Sequence, residues 1–271
     1  MGRLKGIVKR KIALGTTLAL LLGALLMGER GEGERLLAVV DITRSMNAQD
    51  VGRHSRLEAA KRFLQRLVER LPCGSRLGVG IFTHRETLLL WRPVEVCRHG
   101  PALREGIEAI SWRSAWAMDS YIAEGLREAL LTAEALRAKL LFLSDGDRYP
   151  PEQKIPPFPE GRGWLLGVGS PVPVPIPKFD RGGRRIVGFW RQRDLPVYFD
   201  PALRERLKAR DPKRLVTTRL DEPFLRELAR RSGLHYLPLE EGEAILQERT
   251  IEKSVRRWLL IMAFLAALAL L

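Results

Sequence analysis

Residues 36–47, Leu-Leu-Ala-Val-Val-Asp-Ile-Thr-Arg-Ser-Met-Asn, constrain the fold more than any other stretch. The apolar run from Leu36 to Val40 has the character of a strand covered on both faces, as in a parallel sheet. Asp41 then stands at the strand's carboxyl end, with Thr43 and Ser45 on the loop beyond it. Open α/β sheets bind ligands at that edge. Three oxygen-bearing side chains at alternate positions on one tight loop suit a hard cation such as Mg2+ or Ca2+, with Mn2+ a further candidate. Zinc and copper fit poorly, since no Cys or His lies among them.

Two later stretches belong with this one. Residues 139–146, Lys-Leu-Leu-Phe-Leu-Ser-Asp-Gly, read as an apolar strand ending in Ser144-Asp145-Gly146, and residues 119–126, Asp-Ser-Tyr-Ile-Ala-Glu-Gly-Leu, open a helix. Together the three resemble the metal-ion-dependent adhesion site of von Willebrand factor A domains. That site combines an Asp-x-Ser-x-Ser loop, a hydroxyl where a later helix begins, and an aspartate ending a later strand. The resemblance implies a cation held by Asp41, Thr43, Ser45, Ser120 and Asp145. Thr43 takes the first serine place, Ser120 replaces a threonine and Asp119 replaces a glycine, so one corner of the pattern is altered.

Strand and helix patterns alternate along the rest of the chain, which predicts a doubly wound, mostly parallel α/β sheet. Helices are expected at 57–71, 102–110, 120–138, 224–231 and 240–248, and strands at 76–82, 87–91, 163–169 and 234–237. The family resemblance implies six strands with one antiparallel edge strand, 87–91, within a domain spanning 34–250. Residues 171–220 break the alternation. The prolines of 171–177 enforce extended backbone, 180–183 make a turn, and 185–190 complete a hairpin. This insertion leaves a strand's carboxyl end, so it belongs near the cation edge. Its apolar Ile186, Val187, Phe189 and Trp190 suit packing or a partner surface; Ile186, Phe189 and Trp190 are the partner-binding candidates.

Residues 12–28 carry no charge and follow a basic stretch, 1–11. They read as a signal peptide or uncleaved signal anchor, and the lack of an Ala-x-Ala-like site favours the anchor. As a helix they span about 26 Å, slightly short of a bilayer core. The basic start places residues 1–11 in the cytoplasm and the main domain in the periplasm of a bacterial inner membrane. Residues 256–271 are expected to form a second membrane segment. Arg256 and Arg257 would then lie on the outer side, against the positive-inside tendency.

Cys73 and Cys97 are equidistant from Arg85, the centre of the turn between the strands 76–82 and 87–91. Symmetric pairing of that hairpin brings the two sulfurs together, in a compartment where oxidation is permitted. Two free thiols, or a register lost through Pro93, are the alternatives.

Lys and Arg total 46 against 32 Asp and Glu, a net charge of +14. No nucleic-acid-binding pattern accompanies this charge, and most of it reads as a solvated arginine-rich surface. His54, His84, His99 and His235 lack zinc spacing. Phosphate loops, dinucleotide fingerprints and Gly-x-Ser-x-Gly are absent. No catalysis is expected. Residues 45–50 with 56–61 resemble membrane-anchored A-domain proteins of the aerotolerance type. A closer resemblance, carried by 71–83, 93–97, 176–180 and 188–190, is to the A-domain accessory proteins of methanol dehydrogenase gene clusters. It implies an assembly or metal-insertion factor whose client is methanol dehydrogenase, through its large subunit or other accessory proteins. The alternative is an aerotolerance-type stress or adhesion scaffold working with a MoxR-like ATPase.

Overall fold

The computed structural model describes residues 33–183, 185–195, 205 and 211–245. The apolar segments 12–28 and 256–271, and the basic stretch 1–11, lie outside them. Among the described residues no helix is long and apolar enough to cross a membrane. Residues Glu34–Gly242 make one compact unit.

In chain order its strands are β1 (Arg35–Asp41), β2 (Arg76–Thr83), β3 (Glu86–Glu95), β4 (Lys139–Ser144), β5 (Gly163–Gly167), β6 (Val174–Pro175), β7 (Pro177–Phe179), β8 (Ile186–Phe189), β9 (Thr217–Thr218) and β10 (His235–Pro238). The helices are α1 (Arg56–Arg70), α2 (Val96–Ala109), α3 (Ile122–Ala135) and α4 (Glu222–Ser232). Six strands form one sheet in the order β10-β5-β4-β1-β2-β3, parallel except for β3. This is a von Willebrand factor A-like α/β fold with the expected antiparallel edge. The chain runs outward from β1 to β2 and β3, then crosses back to β4 on the other side of β1. A crevice therefore opens at the carboxyl ends of β1 and β4.

Packing explains the buried centre. Leu37, Val39, Phe82, Leu140, Phe142 and Leu165 project from one sheet face onto Ile122, Leu126 and Leu130 of α3 and Leu225 and Leu228 of α4. Helices α1 and α2 pack on each other, with α1 also against β1. Helix α1 begins with a reciprocal cap: Ser55 Oγ accepts from Glu58 N, and Ser55 N donates to Glu58 Oε2 at 2.9 Å. Asp221 caps α4, and Gly233, at φ 75°, ends it.

Several boundaries differ from the sequence reading. Strand β3 continues past Pro93 to Glu95, because the β2–β3 register shifts around Val79 and Gly78 leaves room; an added Cβ there would lie 3.0 Å from Pro93 Cδ. Helix α2 begins at Val96 rather than 102, running through Gly100-Pro101. Its start is fixed by Glu95, whose carboxylate accepts from Arg98 N at 2.6 Å and Gly74 N at 2.7 Å. Helix α3 begins at Ile122, leaving Ser120 outside it. The segment expected as a helix at 240–248 opens instead as a 3-10 turn, Leu239–Glu241, and its end lies outside the described residues. The hairpin symmetry holds: Cys73 and Cys97 are bonded, with Cα atoms 5.3 Å apart.

The insertion is built as expected around a β7–β8 hairpin. A second small pair, β6–β9, ties its two ends together.

Candidate cation and partner site

Asp41 ends β1 fully buried. Its Oδ1 accepts from Thr43 N at 2.8 Å and its Oδ2 from Ser144 Oγ at 2.7 Å. These bonds bend the chain into the 3-10 turn Arg44–Asn47 and set Thr43 Oγ1 3.3 Å from Ser45 Oγ. Ser120 reaches them from elsewhere. Its N donates to Tyr149 O at 2.7 Å, its O accepts from Tyr149 N, and the next residue's N donates to His84 O. Asp119 is occupied by His84, Oδ1 to Nδ1 at 2.6 Å. Ser120 is 4% exposed, and its Oγ has no hydrogen-bond partner. Thr43, Ser45 and Ser120 share the wall of a cavity of about 250 Å3 with Asp147, Met118 and, from the insertion, Ile176, Gln192, Leu195 and Val216.

Asp145 lies beside this group in a different role. Its Oδ2 accepts from Arg56 Nη1 at 2.7 Å, and its Oδ1 from Asp147 N at 3.0 Å. Arg56 is 0% exposed. The same Nη1 donates to Thr218 Oγ1 at 2.9 Å, while Nε and Nη2 donate to Asp50 at 2.9 and 2.7 Å. Asp50 also accepts from Ser170 N at 3.0 Å. Burial works against the guanidinium charge, but Asp145 and Asp50 outweigh it and hold Arg56 protonated beyond an ordinary arginine. Gly169, at φ 117°, passes directly against the guanidinium, where an added Cβ would collide with Nε. Sequence reasoning missed this ion pair. The available signal was periodicity: Arg56 shares the apolar stripe of α1 with Ala60, Phe63 and Leu67.

The insertion stands beside the cavity. Arg44 lies 4.2 Å over the Trp190 ring, and Lys178 lies 5.0 Å from it. Phe179 stacks on Trp112 at 5.4 Å. Ile186 and Phe189 remain 41% and 43% exposed.

Electrostatics test whether a cation suits these residues. Burial, reinforced by Asp145, pushes Asp41 from 3.8 to about 7, against hydrogen bonds from Thr43 and Ser144. Burial and Asp145 likewise push Asp147 to about 7, although Thr218 and Arg56 oppose this. A fully buried Asp41 and a half-buried Asp147, both held up in pKa, stand beside neutral hydroxyls and an orphan Ser120 Oγ, a donor set that suits a hard divalent cation. The carboxylates do not form a cage on their own. Among the described residues, the group of three acidic, His or Cys side chains with donor atoms within 4.8 Å of one another is Cys73, Glu95 and Cys97, two of which are disulfide-bonded. A cation beside Asp41 must therefore draw on hydroxyls and water.

A pH dependence follows from the raised acids. An acid whose pKa rises on folding binds its proton more tightly in the folded state. Its contribution to stability is full below the unfolded value and is lost as pH climbs through the folded one. In EDTA, thermal melts of the full chain in detergent should show stability contributed by Asp41 and Asp147 falling between about pH 4 and 7. Asp41→Asn is expected to flatten that slope. A slope unchanged in the variant would show that Asp41 is already solvated or neutralised.

These features define a class. Residues 36–147 match the family model of the von Willebrand factor type A domain. Such domains often bind divalent cations and generally mediate protein–protein contacts. Two solved structures share the wider fold. One is an aerotolerance-related membrane protein from Bacteroides fragilis NCTC 9343 carrying multiple mutations to serines, 19% identical, with a TM-score of 0.56 over 82% of this chain and 99% of that one. The other is the conserved hypothetical protein BatB from Bacteroides thetaiotaomicron, 22% identical, with a TM-score of 0.58 over the same shares. At these identities the likeness shows the fold. A search of curated protein sequences returned no match.

Proposed function

We propose that this domain is a cation-dependent docking module that binds a protein client through an acidic side chain. The carrying observation is the cavity lined by Thr43, Ser45 and Ser120, on the loop that Asp41 anchors, with Ser120 Oγ unsatisfied in its wall. A divalent cation there, Mg2+, Ca2+ or Mn2+, would be held by Asp41, Thr43, Ser45 and Ser120, with Asp145 close by. It would retain enough positive charge to attract a carboxylate. The net charge of +14 would speed the approach of an acidic client. Ile186, Phe189 and Trp190 supply an apolar and aromatic contact beside the cavity. The role is binding, with no catalytic step.

The same reading places the domain on the periplasmic side of the inner membrane, anchored through residues 12–28 and 256–271. The Cys73–Cys97 bond supports an oxidising compartment. For the client we favour methanol dehydrogenase during its maturation or metal insertion. The motifs behind that resemblance include Ile176, in the cavity wall, and Trp190, against Arg44.

Titration calorimetry of the full chain in detergent tests the site. Asp41→Ala is expected to weaken Mg2+ or Mn2+ binding by at least about tenfold, or 1.4 kcal/mol. Unchanged affinity would remove Asp41 from the site. Capture of the methanol dehydrogenase large subunit should require divalent metal, weaken with salt, and fall in Asp41→Ala and in Ile186→Ala/Phe189→Ala. Equal capture in EDTA would end the docking mechanism.

A further inference from the structure

The turn that ends β4 carries two carboxylates and sends them to different places. Ser144 Oγ accepts from Gly146 N at 3.1 Å, and Asp145 Oδ1 accepts from Asp147 N at 3.0 Å. Gly146, at φ 75°, makes the bend between them. Asp145 turns inward, where both its oxygens are engaged, one by Arg56 and one by this turn. Asp147 stands in the cavity wall with Thr43, Ser45 and Ser120; among the described residues it is the carboxylate of that wall. Thr218 Oγ1 accepts from Arg56 Nη1 at 2.9 Å, so the same guanidinium that holds Asp145 also holds β9 of the insertion. Thr218 and Arg56 both favour the charged form of Asp147, against burial and Asp145.

Accepting the cation reading above, we propose that Asp147, rather than Asp145, is the carboxylate presented to a bound divalent cation, and that Arg56 withholds Asp145 from it. Three observations meet here. Asp145 is neutralised by a guanidinium that is itself fully enclosed. Asp147 stands in the cavity wall with no side-chain ion pair of its own among the described residues. Ser120 Oγ, 4% exposed and without a partner, lies in the same wall and offers a donor atom to the same occupant. Two cationic side chains also line the cavity: Arg148, bonded to Asp221 at 3.0 Å and set over Phe224, and Arg44, set over Trp190 and attracted by Asp147. A divalent cation would take the place of Arg44's charge beside Asp147 and find several neutral oxygens around it. With Arg44 close by, such a shell keeps a net positive charge that suits Mg2+ or Mn2+ with one position left for a client's acid.

The test uses the full chain in detergent, with Mn2+ alone as the probe and two readouts, calorimetric affinity and the Mn2+-induced rise in melting temperature. Asp147→Asn keeps the shape but removes the charge. It is expected to melt in EDTA no lower than the parent, while Mn2+ affinity falls at least tenfold and the induced rise shrinks with it. Should the amide variant lose its cooperative melt in EDTA, Asp147→Ser takes its place with the same reading. Parent-like Mn2+ affinity in a folded variant overturns the assignment of Asp147 and leaves the docking reading standing. A parent chain that does not respond to Mn2+ or Mg2+ overturns both.

Discussion

Arg56→Ala is expected to lower the unfolding free energy by about 3–5 kcal/mol, the range for removing one partner of a buried ion pair. The side chain has no exposed surface, and its guanidinium satisfies Asp50 on one side and Asp145 and Thr218 on the other. Without it two carboxylates remain in a site that admits little water, and Asp145 already raises its neighbours Asp41 and Asp147. The variant must either protonate acids that would otherwise be ionised or open the sheet edge. Urea denaturation of the full chain at neutral pH measures the loss. Much of it should be recovered at low pH, where the stranded carboxylates protonate. A loss below about 1 kcal/mol would mean that solvent reaches the triad and that it is no more than a surface ion pair.

The second large effect belongs to the staple at the opposite end of the hairpin. Reduction, or Cys97→Ser, is expected to remove about 3 kcal/mol, because the bond closes a loop with a sequence separation of 24. For a domain of this size that corresponds to roughly 6–12 °C in melting temperature. Both cysteines are exposed, so a mild reductant reaches them without prior unfolding. The bond holds the start of α2 against the approach to β2, and hydrogen exchange should rise first there and along β3. Melting that is indifferent to reductant would show that the Glu95 cap and the β2–β3 ladder hold this corner without help.

The sheet was legible in the sequence because its strands are buried on both faces and so appear as unbroken apolar runs closed by an acid or a turn. Asp41 and Asp145 could be placed at strand ends for that reason, and the symmetry of Cys73 and Cys97 about Arg85 gave the disulfide. Boundaries were lost where a side chain overrode a local signal. Glu95 starts α2 ahead of Gly100-Pro101, and Gly78 accommodates Pro93 so that β3 does not stop at Trp91. Within the site, Thr43, Ser45 and Ser120 come together as their motifs implied. The division of labour between Asp145 and Asp147 was not legible, because it depends on Arg56, far away in sequence and charged where the helix pattern calls for an apolar residue. A one-dimensional reading assigns an acid after a strand to the crevice; it does not show that a cation from another helix already occupies it.

Gly169 bears on how this chain is able to drift over evolutionary time. Its backbone lies where a methyl group and the Arg56 guanidinium exclude each other. The two positions are remote in sequence yet share one volume. Gly169 is held twice over, because its φ of 117° strains an L side chain even where position 56 has shortened. Glycine at 169 is therefore expected to outlast the arginine: position 56 can drift while 169 stays fixed by its backbone, whereas a residue with a side chain at 169 would be incompatible with arginine at 56.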